Sequence, residues 1–287
     1  MPGPAELEGF LREIRHLGNI RLRQRLTGAG EGIHPGLRPG SSLDFHGHRP
    51  YIPGEDPRRI DWKAYARTGS LFLKDFSEER QAQVAVVLDG SASMDFGRPG
   101  KWEMGVKLAL GLAYLALRQR DRVSFFIARG QSEALTENAA GIEPFYQLTR
   151  LVLRLRPSGV TAGRAFAGAG LRGAGLVFVL SDFLDLEVGA LLDRLGAGGR
   201  EVALVQIISP QELEPPVGEE LKLVHAETGR VTRVHFPAEA RSRYREKVKR
   251  FLVETREECL RRGAWYVWAP TTADPVLVLR QAVAMGG

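Results

Sequence analysis

Apolar residues along the chain fall into two spacings, and the change from one to the other marks the elements. Val84 to Leu88 is a near-continuous apolar run without polar alternation, the pattern of a strand covered on both faces, as in a parallel sheet flanked by helices. Gly175 to Leu180 (GLVFVL) repeats it, and Val123 to Ala128 and Glu201 to Ile208 predict two further strands. Between these runs the step becomes three or four. Lys101 to Arg120 carries Met104, Val106, Leu108, Ala109, Leu112, Leu115 and Ala116, a helix with an apolar face broad enough to pack on a sheet. Ile142 to Leu155 is helical in pattern and stops before Pro157. Leu186 to Leu195 predicts another helix, Leu221 to Phe236 two short strands around Glu227-Thr228-Gly229, and Arg241 to Arg262 a long helix. Trp265 to Trp268 and Pro275 to Ala284 supply a last strand and helix. The alternation predicts an α/β fold over residues 81–287, a doubly wound, mostly parallel sheet flanked by helices.

Residues 1–80 read as an N-terminal extension of a different character. Leu7, Phe10, Leu11, Ile14 and Leu17 recur at helical steps, which predicts an amphipathic helix over Glu6 to Leu26, able to dock on the body or on a partner. Thr27 to Pro50 is rich in Gly, Pro, Ser and His and reads as an irregular connector. Arg49 to Arg67 follows with a Pro53-Gly54 turn signal, alternating acids and arginines, and an Ile60-Asp61-Trp62 anchor. Two readings of that run are open: a brace in which Arg/Asp pairs and a buried Trp62 pin the extension, or a direct contact with a ligand or partner.

Composition changes this picture little. The chain of 287 residues is 44% hydrophobic and 26% charged, enough to build a sizeable core. Its 40 basic and 34 acidic residues give +6, but the two signs are interspersed, so nucleic acid is not expected as a partner. The helix from Arg241 to Arg262 is locally biased, with nine Lys/Arg against four Glu, or +5. A solvated face explains this most simply, an acidic protein partner next, nucleic acid last. Cys259 is the only cysteine, which excludes an internal disulfide, fits a reducing cytoplasm, and at its helical spacing reads as an inert core thiol. No stretch predicts a signal peptide or a membrane span.

The candidate chemistry lies where the first buried strand ends. Asp89-Gly-Ser91-Ala-Ser93 offers only oxygen from a small-residue loop, a donor set suited to a hard divalent ion, with Mg²⁺ (or Mn²⁺) the natural guest. That ion wants about six oxygens. Asp182, after the second apolar run, and Thr161, before a helix, are the separated donors, with Ser158 as the rival hydroxyl. The carboxyl edge of a parallel sheet is also where ligands bind in such folds, and the acids are expected on its solvent-facing rim. His46-Gly-His48 forms a second possible pair of ligands, unsupported by any further Cys or His cluster.

Asp89, Ser91 and Ser93 with Thr161 and Asp182 resemble, in order, the metal-ion-dependent adhesion site of von Willebrand factor A domains. Arg49, Tyr51, Pro53, Gly54, Asp56, Arg58, Ile60, Asp61, Trp62, Ala66 and Arg67 resemble the signature of the bacterial domain of unknown function 58 family, with Glu55 a conservative departure. That family carries a von Willebrand factor A-like region after the signature, so the resemblance runs from about Leu17 to the end. It implies direct ion contact by Ser91 and Ser93, and contact directly or through water by Asp89, Thr161 and Asp182. It also implies a protein-interaction module whose partner donates an acidic side chain to the ion, with a MoxR-type AAA+ ATPase as companion. Enzymatic readings lack their apparatus: there is no G-x-S-x-G elbow around Ser91 and no P-loop motif. Mg²⁺-dependent phosphotransfer or hydrolysis using Asp89 as nucleophile is the remaining alternative.

Overall fold

The computed structural model describes residues 3–17, 20, 43–52, 55–78, 81–160, 163–166, 171–215, 218–226 and 229–284. The chain divides into two compact units, Met1–Thr27 with Ala82–Gly287, and Gly28–Gln81. The elements begin with α1 (Pro4–Ile14), β1 (Leu43–Pro50), α2 (Trp62–Thr68), β2 (Phe72–Glu78), β3 (Gln83–Asp89), α3 (Lys101–Arg118), β4 (Arg122–Arg129) and β5 (Gln131–Ala139). They continue with α4 (Glu143–Val152), α5 (Gly163–Phe166), β6 (Leu176–Ser181), α6 (Val188–Gly196), β7 (Glu201–Ile208) and α7 (Pro210–Leu213). The last are β8 (Gly218–Val224), β9 (Val231–Phe236), α8 (Ala238–Arg261), β10 (Trp265–Pro270) and α9 (Pro275–Ala284).

Among the described residues of the larger unit, six strands form one sheet in the order β10-β7-β6-β3-β4-β5, parallel except for the pair β4–β5. This is the α/β, mostly parallel architecture that the apolar runs predict. Because β3 lies between β4 and β6, the chain leaves it on one side and returns on the other, which opens a crevice at its carboxyl end. Successive side chains of β3 point to opposite faces. Val84, Val86 and Leu88 enter the core beneath α1, α3, α4 and α9, whereas Ala85 and Val87 enter the one beneath α5, α6 and α8. Both faces are covered, so the strand needs no polar alternation.

The first helix docks on the body. Leu7, Phe10 and Ile14 are buried against α3 and α9, and each such side chain removed from water stabilises by roughly 1.5–3 kcal/mol. Gly111 on α3 admits this packing, since a Cβ there would lie 2.5 Å from Leu279 and 3.3 Å from the Phe10 ring. The helix is shorter than expected. Its last turn tightens into three-residue bonds, Arg15 N–H to Arg12 O and Leu17 N–H to Ile14 O, and Leu17 packs on the core from outside the helix.

In the smaller unit β1 and β2 form an antiparallel pair with an irregularity between Phe45 and Gly47. The irregular connector expected up to Pro50 is therefore a strand from Leu43 onward: pairing with β2 overrides a Gly- and His-rich composition. Residues 27–42 lie outside the described residues, as do the side chains of His46 and His48. Asp61 caps α2 by accepting the N–H groups of Lys63 and Ala64 at 2.9 and 3.1 Å, and Asp56 accepts that of Arg58 at 3.0 Å. Gly69, at φ 71°, ends α2 in the left-handed conformation. Ile60 pairs with Leu73, and both are buried. Trp62 is not the buried anchor expected. As the first residue of α2 it turns away from buried Ile60 and Ala64, is 62% exposed, and meets the Tyr65 ring edge-on at 6.2 Å. Among the described residues no helix is long and apolar enough to cross a membrane.

Candidate metal centre

Three loops meet at the carboxyl end of β3. Asp89 is the last residue of that strand and is fully buried. One of its oxygens, Oδ1, accepts the N–H of Ser91 at 2.9 Å, and Oδ2 accepts the hydroxyl of Ser181 at 2.6 Å. The turn is tight: a Cβ on Gly90 would stand 2.5 Å from Ile127 Cγ2, so a glycine lets the loop fold back over β4. Ser91 is buried and Ser93 is partly exposed, with their hydroxyls 3.0 Å apart.

Asp182 follows β6, the neighbour of β3, and is also fully buried. Its loop is strained and pinned. Phe183 sits at φ 58° and Asp185 at φ 57°, conformations that cost of order 1–3 kcal/mol for residues other than glycine. Burial of the Phe183 ring, its N–H bond to Ser181 Oγ at 2.9 Å, and the Gln206 Nε2 bond to the Asp182 carbonyl at 3.1 Å hold the turn. Asp182 Oδ1 accepts the Leu184 N–H at 3.0 Å, while Oδ2 accepts the ammonium of Lys101 at 2.7 Å.

The third segment comes up beside the first loop. Ser158 N–H bonds the Gly90 carbonyl at 2.8 Å, and the Gly159 carbonyl accepts the Ala92 N–H at 3.1 Å. Thr161 itself lies outside the described residues. The rival Ser158 hydroxyl takes a long 3.5 Å bond from Arg129, whose guanidinium also pairs with Glu133.

Of the residues singled out in the sequence, Asp89, Ser91, Ser93 and Asp182 are thus drawn to one sheet edge. The acids do not stand on its solvent-facing rim; both are enclosed by the loops they anchor. Burial first, and the charge of Asp182 second, push Asp89 up to about 6 from its usual 3.8, against the hydrogen bonds from Ser181 and Ser91 that favour the ionised form. Among the described residues no cluster of three His, Cys, Asp or Glu side chains stands ready for an ion. What the described residues bring together is the Ser91 and Ser93 hydroxyls and two carboxylates, an all-oxygen set of the kind hard divalent ions take.

Three neighbours were not singled out in the sequence. Ser181 braces Asp89, and its only sequence signal is the place directly before Asp182. Lys101, the first residue of α3, is 1% exposed and bridges Asp182 to Glu212 Oε1, the latter at 2.5 Å. Glu212 accepts the Ser209 N–H at 2.8 Å through its other oxygen, and its carbonyl accepts the Tyr244 hydroxyl at 2.9 Å, which ties α8 to the turn. Ser209-Pro-Gln-Glu212 carries the S-x-x-E signature of a helix start, legible as a cap but not as a lysine partner. Part of the positive bias of this segment is paired: Arg241 and Arg245 on α8 reach Glu214 at 3.9 and 3.4 Å, and Arg262, just past its end, reaches Asp193 at 2.7 Å.

The chain is similar to the solved structure of the conserved hypothetical protein BatB of Bacteroides thetaiotaomicron, with a TM-score of 0.44 and 14% identity over 71% of this chain and 98% of that one. It is also similar to the manganese-loaded TRAP protein of Plasmodium vivax, with a TM-score of 0.33 and 16% identity over 44% of this chain and 57% of that one. In sequence it is 29% identical over 239 residues to the uncharacterized protein Rv1480 of Mycobacterium tuberculosis, covering 79% of this chain and 75% of the relative. The family described as "Protein of unknown function DUF58" matches residues 47–253, a span that holds the signature run and every described residue of the site, and the chain belongs to that family.

Proposed function

We propose that the chain is a metal-dependent protein-binding module, in which Asp89, Ser91, Ser93, Thr161 and Asp182 hold Mg²⁺ or Mn²⁺. The observation that carries this reading is negative charge in excess at the sheet edge. Fully buried Asp89 and Asp182, with part-buried Glu212, set three carboxylates against the ammonium of Lys101, which leaves two negative charges, the charge a divalent cation neutralises. When bound, the ion supplies an electrophilic position that an Asp or Glu of a partner protein can fill. This chain's part is to fix the donors: Ser181 and the Ser91 N–H orient Asp89, and Phe183 and Gln206 hold the loop that carries Asp182.

A cytoplasmic MoxR-type AAA+ ATPase is the companion this reading expects, with assembly or remodelling of other proteins as the outcome. Phosphotransfer or hydrolysis with Asp89 as nucleophile is the rival reading, and it shares the need for Mg²⁺ and for Asp89, so turnover separates the two. The test is a pull-down from native extract, with and without Mg²⁺, probed for a MoxR-type ATPase, using the wild type, Asp89→Asn and Asp182→Asn. Capture should require Mg²⁺ and be lost in both variants while their melting remains cooperative. Undiminished capture by either variant, or Mg²⁺-dependent release of phosphate from acetyl phosphate, nitrophenyl phosphate or ATP above the Asp89→Asn background, would overturn the reading.

A further inference from the structure

We infer that Lys101 is the resident cation of this site: its ammonium holds Asp182 and Glu212 together in the metal-free protein and weakens the binding of a divalent ion. The inference rests on the metal-binding reading above and concerns what sets the affinity. An ammonium at 1% exposure is costly to bury unless it is paired and hydrogen-bonded. Here it is held by Asp182 at 2.7 Å and Glu212 at 2.5 Å, with the Phe96 ring 5.7 Å away.

The place of this lysine in its helix points the same way. Lys101 is the first residue of α3, an 18-residue helix, where the macrodipole is positive and an acid is the favoured neighbour. Helix formation therefore gives no reason for a lysine there. The two carboxylates do, and they come from elements 81 and 111 residues away. Asp182 is shared between two duties, as a partner of Lys101 and as a candidate donor to the ion. A divalent ion that draws on Asp182 meets a positive charge already in place, and that repulsion lowers its affinity. The ammonium also occupies Asp182 Oδ2, so the oxygen is free for the ion only to the extent that Lys101 turns toward Glu212.

A brace without any bearing on the ion would use the same contacts, and charge separates the two cases. Lys101→Gln keeps a hydrogen-bond donor but removes the charge; Lys101→Arg keeps the charge. The probe is Mn²⁺ alone, followed by calorimetric titration and by thermal melting with and without the ion. The expected results are Mn²⁺ binding at least about tenfold tighter in Lys101→Gln, and within about threefold of wild type in Lys101→Arg. The Mn²⁺-induced rise in Tm should also be larger in Lys101→Gln than in wild type, because its carboxylates have lost their own counter-ion. A Lys101→Gln protein that folds only with Mn²⁺ supports the inference. One that Mn²⁺ does not rescue, or that binds Mn²⁺ no more tightly than a wild type that does bind, overturns it and leaves the metal reading standing. Absence of Mn²⁺ binding in wild type and variants alike overturns both.

Discussion

Because burial and the charge of Asp182 push Asp89 up to about 6, the folded chain holds its ionised form at a cost that the unfolded chain, near 3.8, does not bear. Between those two values the native state carries more protons than the unfolded one, so stability falls as pH rises through the window from about 4 to about 6 and levels off above it. A difference of about two units corresponds to roughly 3 kcal/mol. Urea unfolding in EDTA, from pH 4 to pH 7, should show the wild type losing about that much relative to Asp89→Asn, with saturating Mg²⁺ restoring it at pH 7. Parallel curves for the two proteins would contradict this account of Asp89. At the same scale Cys259 has the fate its spacing suggests: it is buried in the core and its thiol is pushed up to about 12, chiefly by burial. That Asp89, Ser91, Ser93 and Asp182 would meet at one sheet edge was legible because each follows the end of an apolar run. Lys101, Ser181 and Glu212 were not, since their meaning lies in contacts made across distant loops.

At the scale of elements, the strands buried on both faces and the helices packed on them follow the apolar spacing closely, and β7 and α9 have the expected bounds. Elements at the margins do not. β5 reads QSEALTENA and is mostly exposed or half-buried, because it pairs with β4 on one side only and needs no continuous apolar face. β1 is specified by its partner strand more than by its own residues, and Trp62 shows how a helix start can turn a large aromatic outward. The mutational expectation for the signature run changes accordingly. Trp62→Ala should cost less than about 1 kcal/mol, whereas Leu73→Ala, at a position 1% exposed, should cost about 2–5 kcal/mol. Thermal melts of the two variants decide this; a Trp62→Ala protein as unstable as Leu73→Ala would return the tryptophan to the role of buried brace.

Over the whole molecule, the family match extends across both compact units, from residue 47 in the smaller to residue 253 in the larger. The first helix lies before the match and packs with the larger unit, on α3 and α9. The same α3 begins at Lys101, so one long helix carries the docking surface for α1 and the cation that faces Asp182 and Glu212. The fold was readable from alternating strands and helices, and the edge of the sheet that gathers Asp89, Ser91, Ser93 and Asp182 follows from the position of β3 among its neighbours. The decisive measurement is the anomalous difference map of a crystal soaked in Mn²⁺. The account predicts one peak at the carboxyl end of β3, about 2.1 Å from the Ser91 and Ser93 hydroxyl oxygens and beside Asp89 and Asp182. A peak at His46 and His48 instead, or ordered loops around Asp89 and Asp182 with no peak between them, would contradict it.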